Sequence, residues 1–101
     1  MIVGMSDNGR TVELYLRDRL EVRLPESQVS GYIWEFKEME NSCVNLIDSV
    51  YVERGASRFN ALGERSWYFS PAMIGECELV FYLYRPWSKP SPEFKIKVKV
   101  K

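Results

Sequence analysis

The sequence predicts an all-β protein: an antiparallel β-sandwich of seven to eight strands, with residues 1–101 forming one domain. Three observations carry this expectation. Apolar residues recur with a period of two rather than 3.6, Gly and Pro separate the alternating runs, and no stretch shows a convincing amphipathic helix pattern. With 101 residues, 46% apolar and 14% aromatic, the chain can bury roughly 60 to 70% of its unfolded surface, enough for one core.

The first run, Thr11 to Leu16, sets Val12, Leu14 and Leu16 on one face. The second, Arg19 to Leu24, opposes Leu20, Val22 and Leu24 to Arg19, Glu21 and Arg23. Both patterns are those of half-buried strands. Tyr32 to Lys37 alternates Tyr32, Trp34 and Phe36 against Ile33, Glu35 and Lys37, which assigns Trp34 and Phe36 to the core. Less regular strands are expected at Asn45–Ile47, Ser49–Glu53, Arg65–Ser70 and Glu76–Tyr84, with Trp67 and Phe69 buried. Phe94 to Val100 alternates most cleanly. Turns are expected at Pro25, Gly31, Gly55, Gly63 and Gly75 and at the cluster Pro86, Pro90 and Pro92, with a short helical turn allowed at Lys37–Ser42.

Charge excludes several functions. Basic and acidic residues balance at 14 each, so a general nucleic-acid or membrane-surface role, which needs excess basic charge, has no support. Residues 1–50 carry five basic and nine acidic groups and residues 51–101 the reverse, largely through Lys89, Lys95, Lys97, Lys99 and Lys101. These lysines alternate with apolar residues and read as a solvated strand face. Apolar runs fall far short of a membrane span, and Met1–Met5 lacks the pattern of a secretory signal. The expected location is cytoplasmic as written, or periplasmic or secreted if a signal has been removed. A monomer is expected, because the lysine row on the last strand discourages edge pairing.

The chain has no histidine. That removes Ser-His-Asp triads, Cys-His pairs and the usual zinc sites; no enzyme activity, cofactor or metal is expected. Carboxylates such as Glu13 and Glu21 fall on solvent-facing positions and do not suggest an acid pair. The segment Gly4 to Thr11 superficially matches a phosphate-binding loop, but Arg10 stands where Lys is needed and a strand follows instead of a helix. Two cysteines, Cys43 and Cys77, are too few for a disulfide scaffold and are expected to be reduced and partly buried, although the sequence leaves a bridge open. The order Cys, Trp, Cys of immunoglobulin domains is not met, since Trp34 precedes Cys43.

Function is carried by loops. Arg85-Pro86-Trp87, directly after an apolar run, has the composition of a recognition loop. In a sandwich alternate loops emerge at one end, which would gather Glu26–Gly31, Gly55–Glu64 and Arg85–Pro92 on one edge.

The motifs Asn8-Gly9-x-Thr11, Leu24-Pro25, Gly31-Tyr32-x-Trp34, Gly63, Trp67, Gly75 and Tyr82-x-x-Arg85-Pro86-Trp87 follow one another along almost the whole chain. In this the sequence resembles the chagasin-like family of papain-type cysteine peptidase inhibitors. The resemblance implies an immunoglobulin-like β-sandwich whose three loops insert as a wedge into the cleft of a papain-like cysteine peptidase. The central loop would be Ser27-Gln28-Val29-Ser30-Gly31 and the flanking loops Asn60-Ala61-Leu62-Gly63 and Arg85-Pro86-Trp87. The family's first loop typically reads Asn-Pro-Thr-Thr-Gly; here Gly31 is identical and Ser30 replaces Thr. Its second typically reads Gly-x-Gly-Gly; here Gly63 is kept, with Asn60 and Leu62 in place of glycines. The third motif is intact.

A cleft that holds a thiolate–imidazolium pair between two walls is blocked by a narrow edge of small residues. Val29-Ser30-Gly31 meets that demand. Trp87 offers an apolar anchor for a flanking wall, unless it caps the core. Pro86 limits the loop's conformational entropy, and Arg85 either pairs with an acidic rim or braces its own loop. The alternative function is a non-inhibitory immunoglobulin-like protein-binding or structural module on the same scaffold.

Overall fold

The alternating runs become strands because each can turn its apolar side inward and its polar side to water. The computed structural model describes residues 1–27, 31–38, 42–54 and 62–101, with only the backbone of Arg54 and Leu62 described. Among these residues the strands are β1 (Ile2–Val3), β2 (Thr11–Leu14), β3 (Leu20–Glu26), β4 (Ile33–Phe36), β5 (Val44–Arg54), β6 (Leu62–Pro71), β7 (Gly75–Arg85) and β8 (Ser88–Val100). They form two four-stranded sheets, ordered β1-β3-β6-β5 and β2-β8-β7-β4. The arrangement is an immunoglobulin-like β-sandwich.

Both sheets are antiparallel except at one edge each. Strand β1 runs parallel to β3, pairing Val3 with Val22, and β2 runs parallel to β8, pairing Leu14 with Val100. The sequence reading missed β1, which is too short to alternate. A 3-10 turn at Met5–Asp7 carries the chain from the edge of one sheet to the edge of the other. Asn8 and Gly9 then fasten it to β8. The Asn8 side chain donates to the Glu93 carbonyl at 3.2 Å and accepts from the Lys95 amide at 2.9 Å. Gly9, at φ 82°, donates its amide to the Lys95 carbonyl at 2.7 Å. A strained backbone angle is thus held by the residue type that tolerates it.

Several boundaries differ from the sequence expectation. Strand β2 stops at Leu14, so Leu16 is 49% exposed instead of facing the core; Asp18 accepts the Tyr15 amide and closes a turn there. The two short strands expected around residues 45–53 are one strand, β5, broken by a bulge between Leu46 and Asp48 that turns Ile47 outward. Pro25 and Gly63 lie inside β3 and β6, and Pro90 and Pro92 lie inside β8, rather than in turns. The prolines fit because β1 and β2 do not reach these stretches, whose pairing lies on one side, to β6 and β7. The helical turn considered at Lys37–Ser42 has its central residues, 39–41, outside the described residues.

The sheets meet around Phe81. Its ring centroid lies 4.7 Å from that of Trp67 and 6.4 Å from that of Phe69 in the facing sheet, and 5.0 and 5.6 Å from those of Phe36 and Phe94 in its own. These separations suit edge-to-face and tilted aromatic packing. Trp34, Trp67 and Phe69 are buried as expected, and Phe36 packs partly buried against them. Lys95, Lys97, Lys99 and Lys101 are solvent-exposed.

Cys43 and Cys77 are not reduced. They form a disulfide between the residue just before β5 of one sheet and β7 of the other, with a Cα–Cα distance of 5.5 Å. The Trp criterion could not anticipate it, because the bridge depends on the two sheets facing each other at these positions.

Candidate functional site

The first loop is closed at its neck. Ser27 and Tyr32 exchange both backbone hydrogen bonds at 3.0 Å, so the chain leaves and re-enters the first loop at one paired position. Gln28, Val29 and Ser30 lie outside the described residues. Gly31 has φ 76°, and a β-carbon there would sit 2.7 Å from Cγ of Pro86. Only glycine allows both the backbone angle and this approach.

The third loop is tighter than the sequence implied. Arg85 pairs with Ser88, so Pro86 and Trp87 alone form the reversal between β7 and β8, and the segment to Pro92 is strand. Trp87 is 70% exposed, and its ring meets the Tyr32 ring edge-on at 5.7 Å. It does not cap the core.

Arg85 braces its own hairpin. Its guanidinium donates to Glu93 at 2.8 Å, and Ser91 donates to the same carboxylate at 2.9 Å. The hydrogen bond from Arg85, followed by that from Ser91, holds the Glu93 carboxyl below the usual range. One residue before Arg85 in the chain, Tyr84 donates its hydroxyl to Glu35, which pushes the Tyr84 phenol up.

Of the second loop, Asn60 and Ala61 lie outside the described residues. Leu62 and Gly63 begin β6, and Gly63 pairs opposite Glu26 at the foot of the first loop. Gly63 is needed there for space: a β-carbon would collide with the Tyr51 hydroxyl. The feet of the first and second loops are therefore neighbours, and the first and third loops touch directly.

Sequence reasoning placed Glu26 in the first loop. It is instead the last residue of β3 and only 1% exposed. One carboxylate oxygen accepts the Trp34 amide at 2.8 Å. The other accepts Arg65 Nε and Nη2 at 3.2 and 3.0 Å. The Trp34 indole donates to the Pro25 carbonyl at 2.7 Å. Pro25-Glu26 before the loop and Trp34 after it are thus tied across its neck. Period-two patterning had one clue to this, since Glu26 continues the inward series Leu20, Val22, Leu24. Tyr32, which the alternation put on the same face as Trp34 and Phe36, meets Trp87 of the third loop.

A β-sandwich in which Gly31 and Tyr32 pack on the Pro86-Trp87 turn, with an exposed Trp at the rim, has the form of a protein-binding domain. Comparison specifies it further. The chain belongs to the chagasin family: the model described as chagasin family peptidase inhibitor I42 matches residues 13–100. Chagasin of Trypanosoma cruzi is 24% identical over 93 residues, covering 88% of this chain and 84% of its own. The cysteine protease inhibitor EhICP2 of Entamoeba histolytica superposes with a TM-score of 0.82 at 16% identity, over 99% of this chain and 94% of its own. PbICP-C, in a structure of its complex with falcipain-2, superposes with a TM-score of 0.60 at 15% identity, over 99% and 98% of the two chains. The family is one of peptidase inhibitors, not enzymes.

Proposed function

We propose that this protein is a reversible, competitive inhibitor of papain-like cysteine peptidases. It plugs the active-site cleft with one edge built from Ser27–Gly31, Asn60–Gly63 and Arg85–Trp87. The observation that carries this reading is the contact of Gly31 with Pro86 and of Tyr32 with Trp87, which makes two chain-distant loops a single rim. Family membership and the recorded complex of PbICP-C with falcipain-2 support the choice of partner.

Inhibition of this kind is steric and asks no chemistry of the inhibitor. The narrow first loop fills the groove over the catalytic pair, while Trp87 presents a rigid apolar face to one wall. Arg85, engaged by Glu93, keeps the hairpin in one shape before binding, so less conformational entropy is lost on association. The Cys43–Cys77 bridge favours an oxidising compartment, periplasmic or extracellular, over the cytoplasm.

Steady-state titration of papain with the purified protein tests the reading. Competitive inhibition raises KM for a peptide substrate and leaves kcat unchanged. Full peptidase activity at micromolar protein would contradict it and favour a non-inhibitory binding module.

A further inference from the structure

Among the described residues, Glu26 is the one charged residue that is buried. A buried ion pair is a poor way to gain stability, since well-packed apolar side chains of similar volume usually do as well or better. What it supplies is direction. An ionised carboxylate accepting hydrogen bonds on both oxygens fixes its partners in angle as well as distance.

The partners are placed where direction matters. Trp34, bound through its backbone amide, is the second residue of β4, just past the Ser27–Tyr32 neck of the first loop. Arg65 lies two residues beyond Gly63, in the strand that leaves the second loop. The Arg65 guanidinium also sits 5.3 Å from the centroid of the Tyr51 ring. That ring belongs to β5, the strand that enters the second loop, and its hydroxyl occupies the space that Gly63 leaves open. One carboxylate therefore reaches β3, β4 and β6, and through Arg65 bears on β5, at the end of the sandwich from which the first two loops leave.

We propose that Glu26 is the positioning residue of the inhibitory edge: with Arg65 it sets the first and second loops relative to each other before any peptidase is met. This rests on the inhibitory reading above and adds to it a residue that never touches the peptidase. Its effect is preorganisation, so its loss slows productive docking or shortens the life of the complex without removing any contact.

The test compares Glu26→Leu, Glu26→Gln and Arg65→Met with wild type, each well below its thermal midpoint. Inhibition of papain and amide hydrogen exchange of the free proteins are both measured. For Glu26→Leu the inhibition constant should rise at least about tenfold. Exchange should accelerate at the Ser27 and Tyr32 amides but not at Cys77 and Val98 at the far end of the sandwich. Glu26→Gln keeps an acceptor for the Trp34 amide and should recover part of both effects; Arg65→Met should accelerate exchange chiefly at Gly63. A folded Glu26→Leu that inhibits like wild type, or exchange that quickens equally at both ends, overturns the proposal. If Glu26→Leu does not fold, Glu26→Gln decides by the same two criteria. If wild type itself does not inhibit, the peptidase reading fails on its own, and the local or uniform pattern of exchange still decides whether Glu26 positions the loops.

Discussion

Gly31 and Pro86, 55 residues apart in sequence, are packed so closely that a β-carbon on Gly31 would fall 2.7 Å from the Pro86 ring. This contact makes the first and third loops one surface. Replacing Gly31 with Ala imposes both a left-handed backbone angle, costing roughly 1–2 kcal/mol in an L-residue, and a collision with a ring that cannot swing away. The thermal midpoint should fall by about 4–8 °C for each kcal/mol lost, and inhibition should weaken as Pro86 and Trp87 are displaced. Differential scanning calorimetry and papain titration check the two effects.

Trp87 behaves differently because it is exposed. Trp87→Ala removes an edge contact with Tyr32 and little core burial, so the midpoint should stay nearly unchanged. If Trp87 anchors the complex, its truncation should cost roughly 2 kcal/mol or more of binding, a loss of at least ~30-fold in affinity. A large drop in midpoint with unaltered inhibition would be the opposite pattern.

The Cys43–Cys77 bridge spans 34 residues of sequence. Closing a loop of that size restricts the unfolded chain by about 3–4 kcal/mol in the chain-entropy model. Reduction, or Cys43→Ala with Cys77→Ala, should lower the midpoint markedly in thermal denaturation. The loops are held by other contacts, so whatever fraction stays folded should still inhibit.

Acid should loosen the third loop. The Glu93 carboxyl titrates below the ordinary 4.5 because the hydrogen bond from Arg85 favours its charged form. A lowered folded-state value means that the bridge contributes fully above the unfolded value and is lost as pH falls through the lower, folded one. The Trp87 indole resonance should therefore shift in a step below pH 4.5, while the same signal in Glu93→Gln should stay flat there. An NMR titration of both proteins reads this directly.

The sheets were legible because burial on one face writes a period of two into the chain, as in Leu20-Val22-Leu24 and Phe94-Ile96-Val98-Val100. Where strand and turn share residue types the pattern misled. Gly63 reads as a turn but is a strand residue whose missing side chain admits Tyr51. Pro90 and Pro92 read as loop but sit in the one-sided stretch of β8. The disulfide and the Glu26–Arg65 pair were not legible, since each joins strands that only the folded sandwich brings together. Within the site, Arg85-Pro86-Trp87 was found from composition, whereas its brace, Glu93, was not, because nothing in sequence says which carboxylate a hairpin folds back upon.

The central claim is that the rim formed by Gly31, Tyr32, Pro86 and Trp87 enters a peptidase cleft. The most direct measurement is an NMR titration of the isotope-labelled protein with papain, free or with its cleft filled by a covalent active-site inhibitor. The account predicts that Gly31, Tyr32 and Trp87 resonances shift or broaden together with free papain and are undisturbed when the cleft is filled. Perturbation that persists with the filled cleft, or that falls at the Cys77 end of the sandwich, would contradict it.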